Sequence, residues 1–197
     1  MKKVYFLIIA GLLFGCSSQN ATKPGGLSLI KTSGEKGDWV TSENTYWEED
    51  GSMYFKVELN NETDLEYADA GLDGAASTVL ISKVKTRALR ELHTAMPGAG
   101  NSIGKARENV LDAIAQATFS DLVKEKKYWE QFEKNDGLNS VSYIYHIYAL
   151  YSIPELEFQK AKVEAWKKAE EISEADQEAK QLLRDPERRK RFLDAGK

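Results

Sequence analysis

The sequence has few of the residues from which covalent cross-links and metal sites are built. It holds one cysteine, Cys16, so no disulfide can form within the chain. It holds two histidines, His93 and His146, and neither has a cysteine or an acidic residue at a metal-ligand spacing such as His-Glu-x-x-His. A metal or catalytic role for either histidine is therefore not expected.

Motifs of common enzyme classes are also missing. There is no Gly-x-Ser-x-Gly segment of the kind that presents a nucleophilic serine. The glycine-rich segment 98–100 has no Gly-Lys-Ser or Gly-Lys-Thr after it, so it is interpreted as a turn between helices and not as a phosphate loop. We therefore expect neither enzymatic activity nor a cofactor.

The apolar run near the start of the sequence is short. Val4–Phe14 contains no charge and follows Lys2 and Lys3. Its eleven residues would extend roughly 16 Å as a helix, which is too short for a hydrocarbon core of about 30 Å. The run therefore predicts the apolar part of a secretory signal peptide, and not a transmembrane helix.

The run ends in Leu13-Phe14-Gly15-Cys16, which resembles the bacterial lipobox. The resemblance implies cleavage before Cys16, so that residues 1–15 form a signal peptide and Cys16 carries the lipid. Two or more acyl chains hold a protein stably on a bilayer. The alternative is that Cys16 ends an uncleaved anchor. Ser17 stands where an aspartate would indicate inner-membrane retention, which favours the outer membrane.

Removal of residues 1–15 would leave one acidic domain. Lys plus Arg would fall from 27 to 25 against 31 acidic residues, so the net charge would change from −4 to about −6. An acidic chain of this kind is not expected to bind nucleic acid. We predict a lipidated cysteine and flexible tether over residues 16–37, a single α+β domain over 38–184 and a charged C-terminal tail over 185–197.

Hydrophobic periodicity predicts two β-hairpins and three helices. The hairpins are expected over 38–60 and 128–153, the second with a central strand after an Asn135-Asp136-Gly137 turn. Helices are expected over 69–94, over 102–125 and from a cap at Ser152 to about Arg184. In the last helix Pro154 fits the first turn, and Glu155 completes a capping box with Ser152. On the first helix, Arg87 and Glu91 are expected to face outward. The predicted architecture is an antiparallel sheet of the two hairpins with amphipathic helices on one face and a long C-terminal helix.

The residues over Trp39–Ile153, taken with the lipobox, are similar to those of the LPP-twenty type of bacterial outer-membrane lipoproteins. The similarity rests on an aromatic-x-Asp-Gly strand, an alanine-rich helix that carries Lys and Arg, and a later hairpin centred on Tyr128-Trp129. A related domain occurs in lipoproteins that build rings around the flagellar basal body. The resemblance implies an α+β envelope lipoprotein without enzymatic activity, and it transfers one functional residue, Cys16.

Several other groups of residues are candidates for a site. The carboxylates of the first hairpin turn and those before the first helix are expected to be solvated. The tyrosines of the strong strand are expected to pack in the sheet, with ligand binding as the alternative. The basic cluster is expected to be a solvated helix end, or else to contact anionic lipid, peptidoglycan or a partner. These groups are Glu48, Glu49 and Asp50; Glu62, Asp64, Glu66 and Asp69; Tyr143, Tyr145, Tyr148 and Tyr151; and Arg188, Arg189, Lys190 and Arg191.

The function expected from these observations is a non-enzymatic cell-envelope lipoprotein that acts as a structural or interaction module. Its partners would be membrane lipid through the acylated Cys16, and a second copy of the chain or an envelope protein complex. The alternative is a lipoprotein that binds a small ligand or glycan in a pocket between sheet and helices. A hydrolase that acts on the envelope is a third hypothesis, and it requires titratable residues around His93 or His146.

Overall fold

A computed structural model describes residues 26–117, 121–135, 140–173 and 176–195. These residues form a five-stranded antiparallel sheet and six helices, as the sequence predicts for an α+β fold. The strands are β1 (Leu27–Thr32), β2 (Tyr46–Glu49), β3 (Ser52–Glu62), β4 (Val123–Asn135) and β5 (Val141–Pro154). The helices are α1 (Asp38–Thr41), α2 (Leu65–Ala95), α3 (Asn101–Ala115), α4 (Glu155–Ile172), α5 (Gln177–Arg184) and α6 (Pro186–Asp194). Cys16 and the predicted signal peptide lie outside the described residues.

The order of strands across the sheet is β1-β4-β5-β3-β2. β5 is the central strand, as expected, and its residues pair with β4 from Val141↔Asn135 to Ser152↔Val123. On its other side β5 pairs with β3, where Phe55 lies opposite Tyr151. The β2–β3 hairpin turns at Asp50 and Gly51, both of which have positive φ. An Asp-Gly pair suits this turn because both residues tolerate the left-handed region.

Helices α2 to α6 contribute to one layer on one face of the sheet, where they form a continuous hydrophobic core. The residues that alternate along β3 and β5 on this face are buried, among them Met53, Phe55, Val57, Ile147 and Ile153. Every fourth residue of α2 over this stretch is apolar and buried in the same core: Leu72, Ala76, Leu80, Val84, Ala88 and Leu92. Burial of these aliphatic side chains is the main source of stability in such a fold.

The opposite face of the sheet carries a smaller layer. The chain from β1 to β2 crosses this face, because Lys56 donates hydrogen bonds to the carbonyl oxygens of Val40 and Ser42. Lys36 from the same segment forms a 2.8 Å ion pair with Glu130 of β4. The α1 turn therefore covers part of this face, and Val40 is buried there.

The N-terminal boundary of the fold differs from the sequence prediction. β1 (Leu27–Thr32) lies within the predicted tether of residues 16–37, and it pairs with β4 as an edge strand. The predicted hairpin over 38–60 contains a helical turn, α1, before its strands begin at Tyr46. The sequence does not predict β1, because this strand forms by pairing with the distant β4 and has no alternating hydrophobic pattern of its own.

The C-terminal boundaries also differ from the prediction. α3 ends at Ala115, and β4 begins at Val123, within the predicted helix over 102–125. The predicted long helix is two helices, α4 and α5, and the predicted tail over 185–197 contains α6, whose Phe192 is fully buried. Ile172, the last residue of α4, is exposed.

The predicted capping box at the start of α4 is not formed. Pro154 is the N-cap residue and makes no side-chain cap, while the Ser152 hydroxyl donates to Glu125. Asp64, Asp176 and Asp185 do cap helices: each accepts a hydrogen bond from a backbone N–H of the helix that follows it, α2, α5 or α6. Among the described helices, none combines the length and the apolar character that crossing a membrane requires.

Candidate functional site

The largest cluster of buried charge lies where α2, α4 and the β2–β3 hairpin meet. Arg87 and Glu91 of α2 were expected to face outward, but each is 8% exposed. They lie one helical turn apart, and the Nε atom of Arg87 is 3.1 Å from Glu91 Oε1. We call this cluster, with Glu155 and Lys162 of α4, the buried ion-pair network.

Arg87 is held mainly by Glu155, the first residue of α4. Its two terminal nitrogens donate to the two carboxylate oxygens of Glu155 at 2.6 and 2.8 Å. Paired hydrogen bonds of this kind fix the orientation of both groups. Glu48 of β2 lies 3.3 Å from the same guanidinium, whose face stacks on Phe158 at 4.5 Å. Burial opposes the charge of Arg87, but these carboxylates outweigh it and raise the pKa of Arg87.

Lys162 is the fully buried member of the network. Its Nζ atom lies 2.6 Å from Glu91 Oε2 and 3.0 Å from the carbonyl oxygen of Ala195. The rings of Phe158 and Phe192 flank the ammonium group at 5.5 and 4.7 Å. Burial lowers the pKa of Lys162 despite the contact with Glu91, because leaving water disfavours the charged form.

The network joins elements that are far apart in sequence. Its charged groups and hydrogen-bond acceptors come from the β2–β3 hairpin, from α2, from α4 and from the end of α6. Each of its two cations is matched by a carboxylate at hydrogen-bond distance. Paired charges of this kind order the packing of the elements that carry them.

The two histidines are not brought together. His93 is exposed in the last turn of α2. His146 lies on β5 and faces away from the helical layer, where its ring contacts Phe132 at 4.7 Å. Its Nε2 atom is buried without a hydrogen-bond partner among the described residues. The sheet separates the two side chains, so no site includes both.

The candidate carboxylates have separate roles. Glu48, Glu49 and Asp50 are exposed, although Glu48 also reaches Arg87. Asp69 lies 3.0 Å from the Lys127 Nζ atom and 3.3 Å from that of Lys124. No group of three or more His, Cys, Asp or Glu side chains within the described ranges is arranged to hold a metal ion.

The tyrosines of β5 are divided between the two faces of the sheet. Tyr151 faces the helices, stacks on Phe55 at 5.8 Å and donates a 2.6 Å hydrogen bond to Asp73. Tyr148 faces the other side and packs against Tyr128 at 6.2 Å. Tyr143 is half exposed near the start of the strand. These contacts are cross-strand packing, and they do not gather the phenols around one space.

The basic cluster over 188–191 belongs to α6. Arg188 pairs with Asp185, whose side chain caps the same helix. Arg189 and Lys190 line an open groove of about 390 Å³ between α4 and α6. A larger open groove of about 580 Å³ lies between the start of α3 and α5, and both Glu178 and Arg188 line it. Pro97–Gly100 is the turn between α2 and α3, as expected.

The end of the sheet at which the described chain begins is rich in exposed apolar side chains. Leu27 and Leu29 of β1 lie beside Lys134 and Phe132 of β4. On the other side of β4, the same two residues pair with Ser142 and Ile144 of β5, and Tyr143 lies between them. The N-terminal end of β1, the C-terminal end of β4 and the N-terminal end of β5 therefore meet here. We call this end of the sheet, with Leu27, Leu29, Ile30, Val141 and Tyr143, the sheet tip.

Sequence reasoning missed the buried network and the sheet tip. The four-residue spacing of Phe158, Lys162 and Trp166 places the lysine on the apolar face of α4, and this was the available signal for its burial. A scan against protein-family models gives no match for the chain, and neither a search of curated proteins nor one of solved structures finds a similar protein.

Proposed function

We propose that the protein is a non-enzymatic envelope lipoprotein, held on a membrane by acyl chains on Cys16, and that its α+β domain is a structural or interaction module. The observation that carries the proposal is the sequence Leu13-Phe14-Gly15-Cys16 directly after a short uncharged run. An outer-membrane location is part of the proposal, because Ser17 follows the cysteine.

The described fold supports an anchor before the domain. β1 begins at Leu27, so ten residues, 17–26, separate it from Cys16. They include Lys23-Pro24-Gly25-Gly26, a composition typical of linkers. A short connection of this kind would keep the domain close to the surface that holds the lipid.

The packing supports a structural or interaction role over the alternative of a ligand pocket between sheet and helices. That interface is filled by large side chains such as Phe55, Ile153 and Phe158, each with no exposed surface. The buried cations of α2 and α4, Arg87 and Lys162, are paired with carboxylates in the buried ion-pair network. The grooves described above lie on the outside of the helical layer and are open to solvent.

Metabolic labelling with a fatty acid and intact-mass spectrometry test the lipid anchor. The wild-type protein is expected to lose residues 1–15 and to gain the mass of diacylglycerol plus one acyl chain. Cys16→Ser is expected to remain uncleaved and unlabelled, while the matched control Ser18→Ala is processed normally. Processing of Cys16→Ser, or an unmodified thiol in the wild type, would contradict the proposal.

Crosslinking in cells, followed by purification of the acylated protein, tests the interaction role. A second copy of the chain or one envelope protein is expected to be crosslinked in stoichiometric amount. If the membrane brings the partners together, less of that partner should be crosslinked to the Cys16→Ser variant. A monomer without crosslinked partners would contradict a role as an interaction module.

A further inference from the structure

The sheet tip concentrates apolar side chains that the fold leaves uncovered. Five of the ten large hydrophobic residues that are exposed in the described ranges belong to it. All five lie at one end of the sheet. β4 separates β1 from β5, so the two strands are about 10 Å apart, and the pairing puts Leu27 and Leu29 on the opposite face of the sheet from Val141 and Tyr143. Their exposed fractions are 44% for Leu27, 53% for Leu29, 48% for Ile30, 49% for Val141 and 49% for Tyr143.

The helical layer ends before it reaches the tip. On β5 the core contains Ile147 and the residues that alternate after it, and Tyr145 only partly packs against that core. Val141 and Tyr143 continue the same alternation toward the tip but are half exposed. The tip therefore projects beyond the core with apolar side chains on both faces of the sheet.

The opposite end of the sheet has a different chemistry. β5 has 14 residues and extends about 40 Å, from the tip to the Asp50-Gly51 turn of the β2–β3 hairpin. Glu48, Glu49 and Asp50 are exposed at that turn. An anionic surface would repel the acidic side chains of this turn and would not repel the apolar side chains of the tip, so the charge of the turn favours the orientation in which the tip faces anionic lipid.

The chain that leads to Cys16 leaves the domain at the tip. Leu27 is the first residue of β1, and the ten residues before it span at most about 35 Å when fully extended. Because the lipid on Cys16 would hold the sheet tip within this distance of the bilayer, the effective concentration of the tip at the bilayer would be high. Weak apolar contacts would then suffice for binding.

We propose that the sheet tip is a lipid-binding surface that rests in the headgroup region of the bilayer and holds the domain upright, with the acidic hairpin turn pointing away from the membrane. The inference rests on the proposed acylation of Cys16. Leu27, Leu29 and Ile30 would enter the interface from β1, and Val141 and Tyr143 from β5. An interfacial tyrosine presents an apolar ring and a polar hydroxyl, which suits this depth.

Site-specific fluorescence on the full acylated protein tests the orientation. The acylated Cys16 leaves no free thiol, so a bimane label reacts at one introduced cysteine. The labelled variants are Leu29→Cys and Tyr143→Cys at the tip, and Leu156→Cys and Leu89→Cys as matched controls at exposed apolar positions on the helices. The proteins are reconstituted in vesicles of phosphatidylethanolamine and phosphatidylglycerol, with and without nitroxide-labelled lipid.

Labels at positions 29 and 143 are expected to shift their emission to shorter wavelength on reconstitution and to be quenched by the nitroxide lipid. Labels at 156 and 89 are expected to show neither effect. A double substitution, Leu27→Ser with Leu29→Ser, should abolish the quenching at position 143, whereas Leu156→Ser should leave it unchanged.

Two outcomes would overturn the lipid-binding surface while the lipoprotein proposal stands. One is solvent-exposed labels at 29 and 143 in material whose mass shows the acyl chains. The other is a wavelength shift that grows with the number of protein copies per vesicle but is not quenched by lipid, which would assign the tip to a second copy of the chain. A mass without acyl chains would instead overturn the proposed function.

Discussion

The Nζ atom of Lys162 lies 2.6 Å from Glu91 Oε2, and the lysine side chain is entirely buried. Two helices, α2 and α4, are joined by this contact inside an apolar core. A buried ion pair contributes little net stability over apolar side chains of equal size, but the loss of one partner leaves a charge without compensation.

Glu91→Leu is therefore expected to destabilise the protein by about 3–5 kcal/mol, because Lys162 would remain buried without its carboxylate. Adding Lys162→Met should recover most of this loss, since Met fills a similar volume without a charge. Urea denaturation of the two single variants and the double variant gives the coupling energy. Independent, additive effects of the two substitutions would show that the pair does not act as a unit.

Phe192 makes α6 part of the core, although the helix belongs to a strongly charged stretch. The ring is fully buried, lies 5.4 Å from that of Trp166 and packs over the Lys162 ammonium. Phe192→Ala is expected to cost about 3–5 kcal/mol in the free energy of unfolding, as for other buried aromatic side chains. The matched control is Leu156→Ala on the surface of α4, for which thermal unfolding should change little. A small effect at Phe192 would mean that residues 185–197 do behave as a tail.

Replacing each of two glycines by alanine is expected to change the stability of the protein in opposite directions. Gly51 has a φ of +71° in the β2–β3 turn, so Gly51→Ala should destabilise the protein by about 1 kcal/mol. Gly74 lies within α2 with no atom near the position of an added Cβ, so Gly74→Ala should stabilise it by about 1 kcal/mol. Chemical denaturation measures both. Equal signs for the two variants would contradict the assigned backbone conformations.

The ion pairs of Asp69 are expected to make the stability of the protein depend on pH. The hydrogen bond from Lys127, with help from Lys124, lowers the pKa of Asp69 below its usual 3.8. A carboxyl group whose folded-state pKa is lowered adds stability above its unfolded pKa, and this stability is lost as the pH falls through the folded value. The wild type should therefore exceed Asp69→Asn in stability at neutral pH, and the difference should vanish in acid.

The urea midpoints of wild type and Asp69→Asn at several pH values between neutral and strongly acidic conditions measure this effect. Glu49→Gln, in the exposed hairpin turn, controls for the removal of one negative charge. A difference between wild type and Asp69→Asn that stays constant with pH would show that Asp69 acts through packing and not through its charge.

The elements that sequence predicted well are those whose patterns are local. β5 alternates over its length, and α2 repeats an apolar residue at every fourth position, so each pattern indicates both the element and its buried face. β1 offers no such pattern: Leu27, Leu29 and Ile30 are exposed, and the strand exists because β4 pairs with it. The start of β4 is highly charged and also lacks an alternating pattern, and its first residues, 123–125, fall within the helix predicted over 102–125.

The buried charges were not predictable from one sequence because their partners are distant. The spacing of Arg87 and Glu91 is typical of an ion pair on a solvated helix face. In the fold they are buried, and they pair with Glu155 and Lys162 of α4. The sheet tip depends likewise on the register of three strands. By contrast, the predicted site of lipid attachment, Cys16, follows from sequence alone and stays a prediction.

The membership of β1 in the sheet has a mechanical consequence. A pull on the residues that precede Leu27, directed away from that end of the sheet, acts along the axis of β1 and loads its hydrogen bonds to β4 together in shear. An antiparallel edge strand loaded in this direction resists extraction better than one that is peeled off bond by bond. The first strand of the fold would thus transmit tension to the central strands before the core is disturbed.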